Sequence, residues 1–398
     1  MQDIDPEETR TVSSVRLLVG ISFISYVGTW TERVALGWLA WTLTQSTFWT
    51  GFVSMSVLLP SAFLGPIVAV YAEGWDSRRA MMLTNGAFMV TSLLLFALVA
   101  GGFITLPLLA VLALAIGVIG AAMHPVRLTL IPSVSPRHYL PRAVALSAMA
   151  FNASRVVGPA VAGLLITTVG LNWTFLVNAL SYLPYIALLA LIPMKPRPAR
   201  GVKSSLGQGL AEGLRYALAH PLIRWSLLLA ATNSLLVRSI VENMPAVVGG
   251  LLDGNARDLT WMTSAAGLGS VTAAITLGWL KRDTRQLQTM LRLVPLVSAA
   301  LCLALSAGLP FAGLVAIAVG LGFVATFVGI GSQIIIQMEV ADTHRARVLT
   351  WWSSASFAAV SLGGLATGAV GDLAGMGFAI FLLGLLGAVL ATGFALRR

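Results

Sequence analysis

Only 10% of the residues in this 398-residue chain are charged, where a soluble protein carries about a quarter. That shortage excludes a solvated surface over most of the molecule. The single cysteine, Cys302, excludes an intrachain disulfide and any multi-cysteine zinc or iron–sulfur site; it is expected to pack as a small apolar residue. The four histidines are scattered, with no HExxH or similar spacing, so no metal site is expected. No Walker-type glycine loop occurs, and no polar stretch is long enough for a nucleotide-binding domain. Direct drive by ATP is therefore not expected, nor is any cofactor. The N-terminal MQDIDPEETRTVSSVR is acidic and polar. It lacks the basic region and cleavage site of a signal peptide, so the first apolar segment is expected to be retained.

In place of charge stands apolar chain: 57% of residues are hydrophobic and the mean hydropathy is +0.88. This composition describes a polytopic membrane protein, with the lipid bilayer as its first partner. Apolar segments of about 20 residues, the length that spans a bilayer, recur twelve times. They cover 16–42, 48–72, 80–101, 106–128, 143–168, 172–193, 222–250, 259–280, 288–308, 311–336, 348–371 and 375–396. The net charge of +10 would suggest nucleic acid in a soluble chain, but the basic residues fall in alternate loops, as membrane topology requires. No nucleic-acid partner is expected. One set of loops holds Arg78, Arg79, Arg137, Arg142, Lys195, Arg197, Arg200, Lys203, Arg215, Lys281, Arg282, Arg285, Arg345 and Arg347, whereas the alternate set holds only Arg257. That bias places the N-terminus, the C-terminal Arg397–Arg398 and the long central loop in the cytoplasm.

A shift of 205 positions carries Arg33 onto Arg238, Gly117 onto Gly322, Arg142 onto Arg347, Gly158 onto Gly363, Gly163 onto Gly368 and Gly170 onto Gly375. One ungapped register for all six pairs predicts two six-helix halves in parallel orientation. The fold class is then an all-α membrane protein with twelve transmembrane helices in two pseudo-symmetric halves. Such a plan belongs to a secondary transporter whose site lies between the halves. The expected organisation is a cytoplasmic tail over 1–15, a first bundle over 16–193, a cytoplasmic linker over 194–221 and a second bundle over 222–398. The linker is rich in Pro, Gly, Ser and basic residues, with a short amphipathic helix around Leu210–Leu218 read as a solvated connector.

Three junctions carry recognisable motifs. The second-to-third reads Val68-Ala-Val-Tyr-Ala-Glu73-Gly-Trp-Asp76-Ser-Arg78-Arg79. The fourth-to-fifth reads Pro125-Val-Arg127 and then Ile131-Pro132-Ser-Val-Ser-Pro136, and the fifth segment carries Phe151-Asn152-Ala-Ser-Arg155-Val-Val-Gly158-Pro159-Ala-Val-Ala-Gly163. The tenth-to-eleventh junction reads Glu339-Val-Ala-Asp342-Thr-His-Arg345-Ala-Arg347. Over essentially its whole length the chain resembles the major facilitator superfamily, and within it the bacterial exporter branch that includes enterobactin-type siderophore exporters and macrolide-efflux proteins. The resemblance implies the major facilitator fold, alternating access, a bacterial inner membrane and no enzymatic activity. It also implies a cytoplasmic gate of Glu73, Asp76, Arg78 and Arg79, clamping one half to the other near the eleventh helix. Here Ala69 stands for the family glycine and Gly74 for its basic residue. Gly158, Pro159 and Gly163 match a pattern associated with export in antiporters, and small residues there suit close helix packing.

Charges at bilayer depth mark the functional centre, because each costs at least about 2.5–3.5 kcal/mol on insertion. Glu32 and Arg33 lie in the first segment, Arg238 and Glu242 in the seventh. Glu32 and Glu242 are the candidates for proton coupling. Neighbours on a helix cannot point the same way, so Glu32 is not locked to Arg33, whereas Arg238 and Glu242 are four apart and can pair. Arg33, Arg155, Asn152, Arg238, Trp30, Arg127 and Asn178 are the substrate-cavity candidates, with Asn233 as a further polar contact and His124 as a packing residue. Four arginines against two glutamates favour an anionic or polyhydroxylated small molecule. The expected activity is proton-coupled export by a monomer. An importer or facilitator of the same fold stays open, because no residue writes direction. A membrane enzyme or sensor is the alternative of another class, but the loops lack the paired acids and histidines a catalytic cluster needs.

Overall fold

The computed structural model describes residues 6–72, 75–136, 138–192, 206–280, 284–341 and 344–396. Among these residues every regular element is a helix, as a chain in lipid must satisfy its backbone within each segment. The first half contains α1 (Pro6–Thr44), α2 (Thr47–Ser56), α3 (Leu59–Ala72), α4 (Ser77–Ala100), α5 (Leu106–Val134), α6 (Leu140–Thr168) and α7 (Asn172–Leu191). α8 (Leu206–Ala219) belongs to the connection. The second half contains α9 (Pro221–Asn233), α10 (Ser239–Glu242), α11 (Met244–Leu252), α12 (Ala256–Trp279), α13 (Thr284–Leu305), α14 (Phe311–Glu339), α15 (Arg345–Ala374) and α16 (Met376–Leu396). α2 and α3 form one span, interrupted just before Pro60. Each of the twelve apolar segments coincides with helix among the described residues.

The seventh span departs from a plain helix. A π-helical turn over Ser234–Arg238 joins α9 to α10, and the axis then bends by 67° at Asn243 before α11. Pro245 has no N–H for the carbonyl four residues back, so the helix breaks where the sequence pattern ran on unbroken. α8 also differs from expectation. It docks on the second half instead of standing in solvent: Glu212 pairs with Arg347 at 2.5 Å, and the Trp351 indole donates to the Leu210 carbonyl at 2.9 Å.

The repeat register reappears as equivalent packing. Gly158 lies against Trp30 and Thr31 of α1, and Gly363 lies against Leu235 and Ser239 of the seventh span. Gly117 meets the Ser56 carbonyl region of the second span; Gly322 meets the Ala266 carbonyl of the eighth. Gly170 and Gly375 both take positive φ, at 112° and 91°, a conformation open to glycine at no steric cost. Each turns the chain into the last helix of its half.

The halves meet along α6 with α12, along α2 and α3 with α15, and where α11 reaches α1 and α2. The close approaches are glycine-mediated: Gly163 on Thr260, Gly368 on Thr47, Gly249 on Trp41 and Gly364 on Met55. These contacts lie at mid-depth and toward the end remote from the chain termini, here called the distal end. The end carrying the termini is the proximal end.

Candidate functional site

α1 sets out the centre of the site. Successive residues on a helix are about 100° apart, so Glu32 and Arg33 diverge. Glu32, only 3% exposed, points into the first half. Its Oε2 accepts hydrogen bonds from Ser92 Oγ of α4 at 2.5 Å and from Asn178 Nδ2 of α7 at 2.7 Å. Tyr182 continues this polar cluster, 3.4 Å from the Asn178 amide and 3.1 Å from the Thr29 hydroxyl. All five residues belong to the first half.

Arg33 points to the seam. Its Nη1 lies 3.6 Å from Glu242 Oε2, and Arg238 Nε lies 3.5 Å from the other oxygen, Glu242 Oε1. One carboxylate thus serves two guanidiniums, one from each half. A buried ion of this kind persists only when paired, since removing one partner costs roughly 3–5 kcal/mol. Arg155 completes the group from α6, where its Nη1 donates to the Thr326 hydroxyl of α14 across the seam at 3.4 Å. Among the described residues no carboxylate lies within ion-pair distance of Arg155. Trp30 binds these charges to a common surface, with the Arg33 guanidinium 4.7 Å and the Arg155 guanidinium 5.3 Å from its ring. Such contacts are worth about 0.5–2 kcal/mol each, more when water is excluded.

A cavity opens between these groups, bounded by Trp30, Arg33 and Arg155 on one side and Glu242, Pro245 and Ser270 on the other. Its volume is about 60 Å³, room for water but well short of the ~300–1,000 Å³ of small-molecule pockets. Pro159 also lines it. With no N–H of its own, Pro159 leaves the Arg155 carbonyl without its helical donor, and that carbonyl lies over Gly267 of α12. The Gly158 carbonyl accepts from the Thr31 hydroxyl at 3.0 Å. Gly158, Pro159 and Gly163 therefore serve three contacts: with α1, with the cavity and with Thr260.

Several candidates do not line the cavity. Asn178 is drawn to Glu32, because a buried amide and a buried carboxylate satisfy each other. Asn152 donates to the carbonyl of Ala148 in its own helix at 2.9 Å. Asn233 is buried, 3.4 Å from the Ala325 carbonyl. Arg238 reaches Glu242 and stands over Phe357 at 5.4 Å. Arg127 sits apart from the cavity, over Phe151 at 4.6 Å and Tyr26 at 5.3 Å. Of the gate residues, Glu73 lies outside the described residues, as does the side chain of His124. Asp76 caps its own helix by accepting from the Arg78 and Arg79 amides at 2.9 and 3.2 Å, and it pairs with the Arg79 side chain at 3.7 Å. The Arg78 guanidinium donates to the Ile192 carbonyl at the end of α7. These contacts all stay within the first half.

Sequence reasoning missed Ser92 and Thr326, hydroxyls without distinction among many others. It also missed a seam contact at the distal end. Asp372 near the end of α15 reaches the N-terminus of α2, where Oδ1 accepts from the Thr47 amide at 2.6 Å and the Thr47 hydroxyl at 2.8 Å. Asp372 Oδ2 accepts from Ser46 Oγ at 2.5 Å. The Ser46-Thr47 start is legible as a helix cap, but its partner from the other half is not. Among the described residues no three His, Cys, Asp or Glu side chains gather as a metal site.

Comparison with known proteins agrees with this architecture. The nucleoside transporter NupG superposes with a TM-score of 0.70 at 14% identity, covering 96% of this chain and 98% of that one. The inward open conformation of the xylose transporter XylE from E. coli gives 0.71 at 15% identity, covering 97% and 96%. These likenesses establish the major facilitator fold. In sequence, the chain is 24% identical to the enterobactin exporter EntS of Shigella flexneri over 95% of its length and 91% of that protein. It is 26% identical to the staphyloferrin A transporter of Staphylococcus aureus over 174 residues, 44% of this chain and 43% of that one. The protein is a multi-pass membrane transporter for small molecules, not an enzyme. Residues 11–398 match the family described as transmembrane secretion effector, and the chain belongs to that family.

Proposed function

We propose that the protein exports a small organic anion across a bacterial cytoplasmic membrane by proton-coupled alternating access, acting as a monomer with both termini in the cytoplasm. The observation that carries this reading is the charge imbalance at the seam. Arg33, Arg155 and Arg238 gather around one carboxylate, Glu242, so the centre holds more positive than negative charge. A carboxylate or similar group of a substrate supplies the missing counter-charge. The relatives named as an enterobactin exporter and a staphyloferrin A transporter support a small-molecule cargo. Arginines and lysines concentrated in alternate loops support the orientation, and bundles bounded at 16–193 and 222–398 are the proposed rocking units.

Contacts concentrated toward the distal end, over a cavity too small for cargo, support an arrangement closed on the far side. Rocking the halves about α6–α12 and α2–α15 then exposes the site to alternate sides. Glu32 is the proposed proton carrier: it is a membrane-embedded acid whose described partners are neutral, so its charge can change without breaking an ion pair. Reconstituted into proteoliposomes, Glu32→Gln should abolish flux driven by a proton gradient yet retain substrate exchange without a gradient. Wild-type gradient-driven flux in this variant would remove Glu32 from the coupling role. Comparing inside-out with right-side-out vesicles tests the direction.

A further inference from the structure

Glu242 engages two of the four arginines counted as cavity candidates, Arg33 and Arg238. Arg155 and Arg127 have no carboxylate within ion-pair distance among the described residues. These two share a further property, in that each guanidinium stands over aromatic rings of the first half. Arg127 lies over Phe151 and Tyr26, and Arg155 over Trp30. The rings themselves are continuous: Tyr26 meets Phe151 edge-on at 5.5 Å, and Phe151 meets Trp30 at 6.2 Å.

The strip follows helical spacing on both walls. Tyr26 and Trp30 are four apart on α1, and Phe151 and Arg155 are four apart on α6, so each pair shares one face. Four residues advance a helix by about 6 Å. The Tyr26–Arg127–Phe151 group therefore lies about one turn nearer the proximal end than the Trp30–Arg155 group at the cavity. Arg127 and Phe151 are only partly buried, Tyr26 is 8% exposed, and the glycine contacts between the halves gather toward the distal end.

We propose that Arg127, with Tyr26 and Phe151, forms an entry subsite for a planar, conjugated organic anion on its way to the central cavity. The inference rests on the anion reading of that cavity and adds to it a second location and a shape. An arginine held on an aromatic face keeps its N–H edge for a carboxylate. The partly exposed Phe151 ring, backed by Tyr26, offers a planar ligand body the offset or edge-to-face contacts that aromatic groups favour. A saturated ring of equal charge gains the first contact and not the second.

The test is equilibrium binding of radiolabelled 2-naphthoate and cyclohexanecarboxylate to the purified full-length protein. Wild type should prefer 2-naphthoate. Arg127→Gln should weaken 2-naphthoate about ten-fold or more, the worth of one charge-assisted hydrogen bond. Phe151→Leu, which keeps every charge, should weaken 2-naphthoate and leave cyclohexanecarboxylate unchanged; it also serves if the arginine variant fails to fold. Wild-type affinity in Arg127→Gln, or equal weakening of both probes by Phe151→Leu, overturns the subsite. Arg155→Gln separates the two readings. If it weakens both probes while Arg127→Gln weakens neither, the entry subsite falls and the central anion site stands. If neither arginine matters, or wild type binds neither probe, both fall.

Discussion

Two glutamates lie buried at similar depth in this protein and are satisfied in opposite ways. Glu32 takes hydrogen bonds from Ser92 and Asn178, both neutral and both in its own half. Glu242 takes two guanidiniums, one from its own helix and one from the other half. A rigid-body movement of the halves carries the Glu32 set along intact. The same movement must strain or break Arg33–Glu242. In the proposed cycle one acid could thus change state without moving the bundles, while the other would report and resist their relative position. Burial alone does not distinguish them; the ownership of their partners does.

The largest expected effect comes from Glu242→Gln, which strands Arg33 and Arg238. A loss of about 3–5 kcal/mol of stability is expected, read as a lower melting temperature of the purified protein. Adding Arg33→Gln should recover part of that loss. If the double variant melts as if the two losses simply add, Arg33 and Glu242 are not coupled across the seam. Asp372→Ala comes next. It removes the far-side partner of Ser46 and Thr47, a loss of about 1–2 kcal/mol by analogy with helix caps. A cysteine introduced at Val241, on the cavity wall, should then react faster with an impermeant maleimide added at the distal side. Unchanged labelling would mean that the contact does not hold the seam. Smallest should be the stability change in Glu32→Gln, at most about 1.5 kcal/mol. The glutamine carbonyl can replace Oε2 as acceptor for both donors, and labelling at Val241 should stay at the parental rate. A melting loss as large as that of Glu242→Gln would erase the contrast between the two acids.

Much of the fold was written in local pattern. Twelve apolar segments each became helix because lipid leaves a backbone no other partner. The register linking Gly158 to Gly363 and Gly170 to Gly375 proved to mark equivalent packing and equivalent turns. At the site, spacing alone was enough to pair Arg238 with Glu242. What stayed hidden depends on other helices. No property of Ser92 within its own segment announces a glutamate 60 positions away. Asn178 sits among cavity candidates by polarity, yet tertiary packing gives it to Glu32. The break at Asn243 is a matter of degree: proline kinks some membrane helices and is tolerated in others, and only the surroundings decide. Arg127 counts as a cavity candidate by its charge within an apolar segment, but α5 presents it to Phe151 and not to the cavity.

The contact of Asp372 with the start of α2 has a consequence for the proposed alternating access. A fastening deep in lipid would leave bare donors each time it parted, and a cycle would stall on that barrier. Here the fastening lies at the distal end of both helices, where water can take over. When the halves separate, the Thr47 amide and the Ser46 and Thr47 hydroxyls can exchange a carboxylate for solvent, and the carboxylate can hydrate in turn. The difference between the two situations is small because hydrogen bonds are swapped and not lost. In the proposed cycle such a clasp would favour the arrangement with the distal side closed while adding little to the energy of each opening, and the same few groups would remake it on every return stroke.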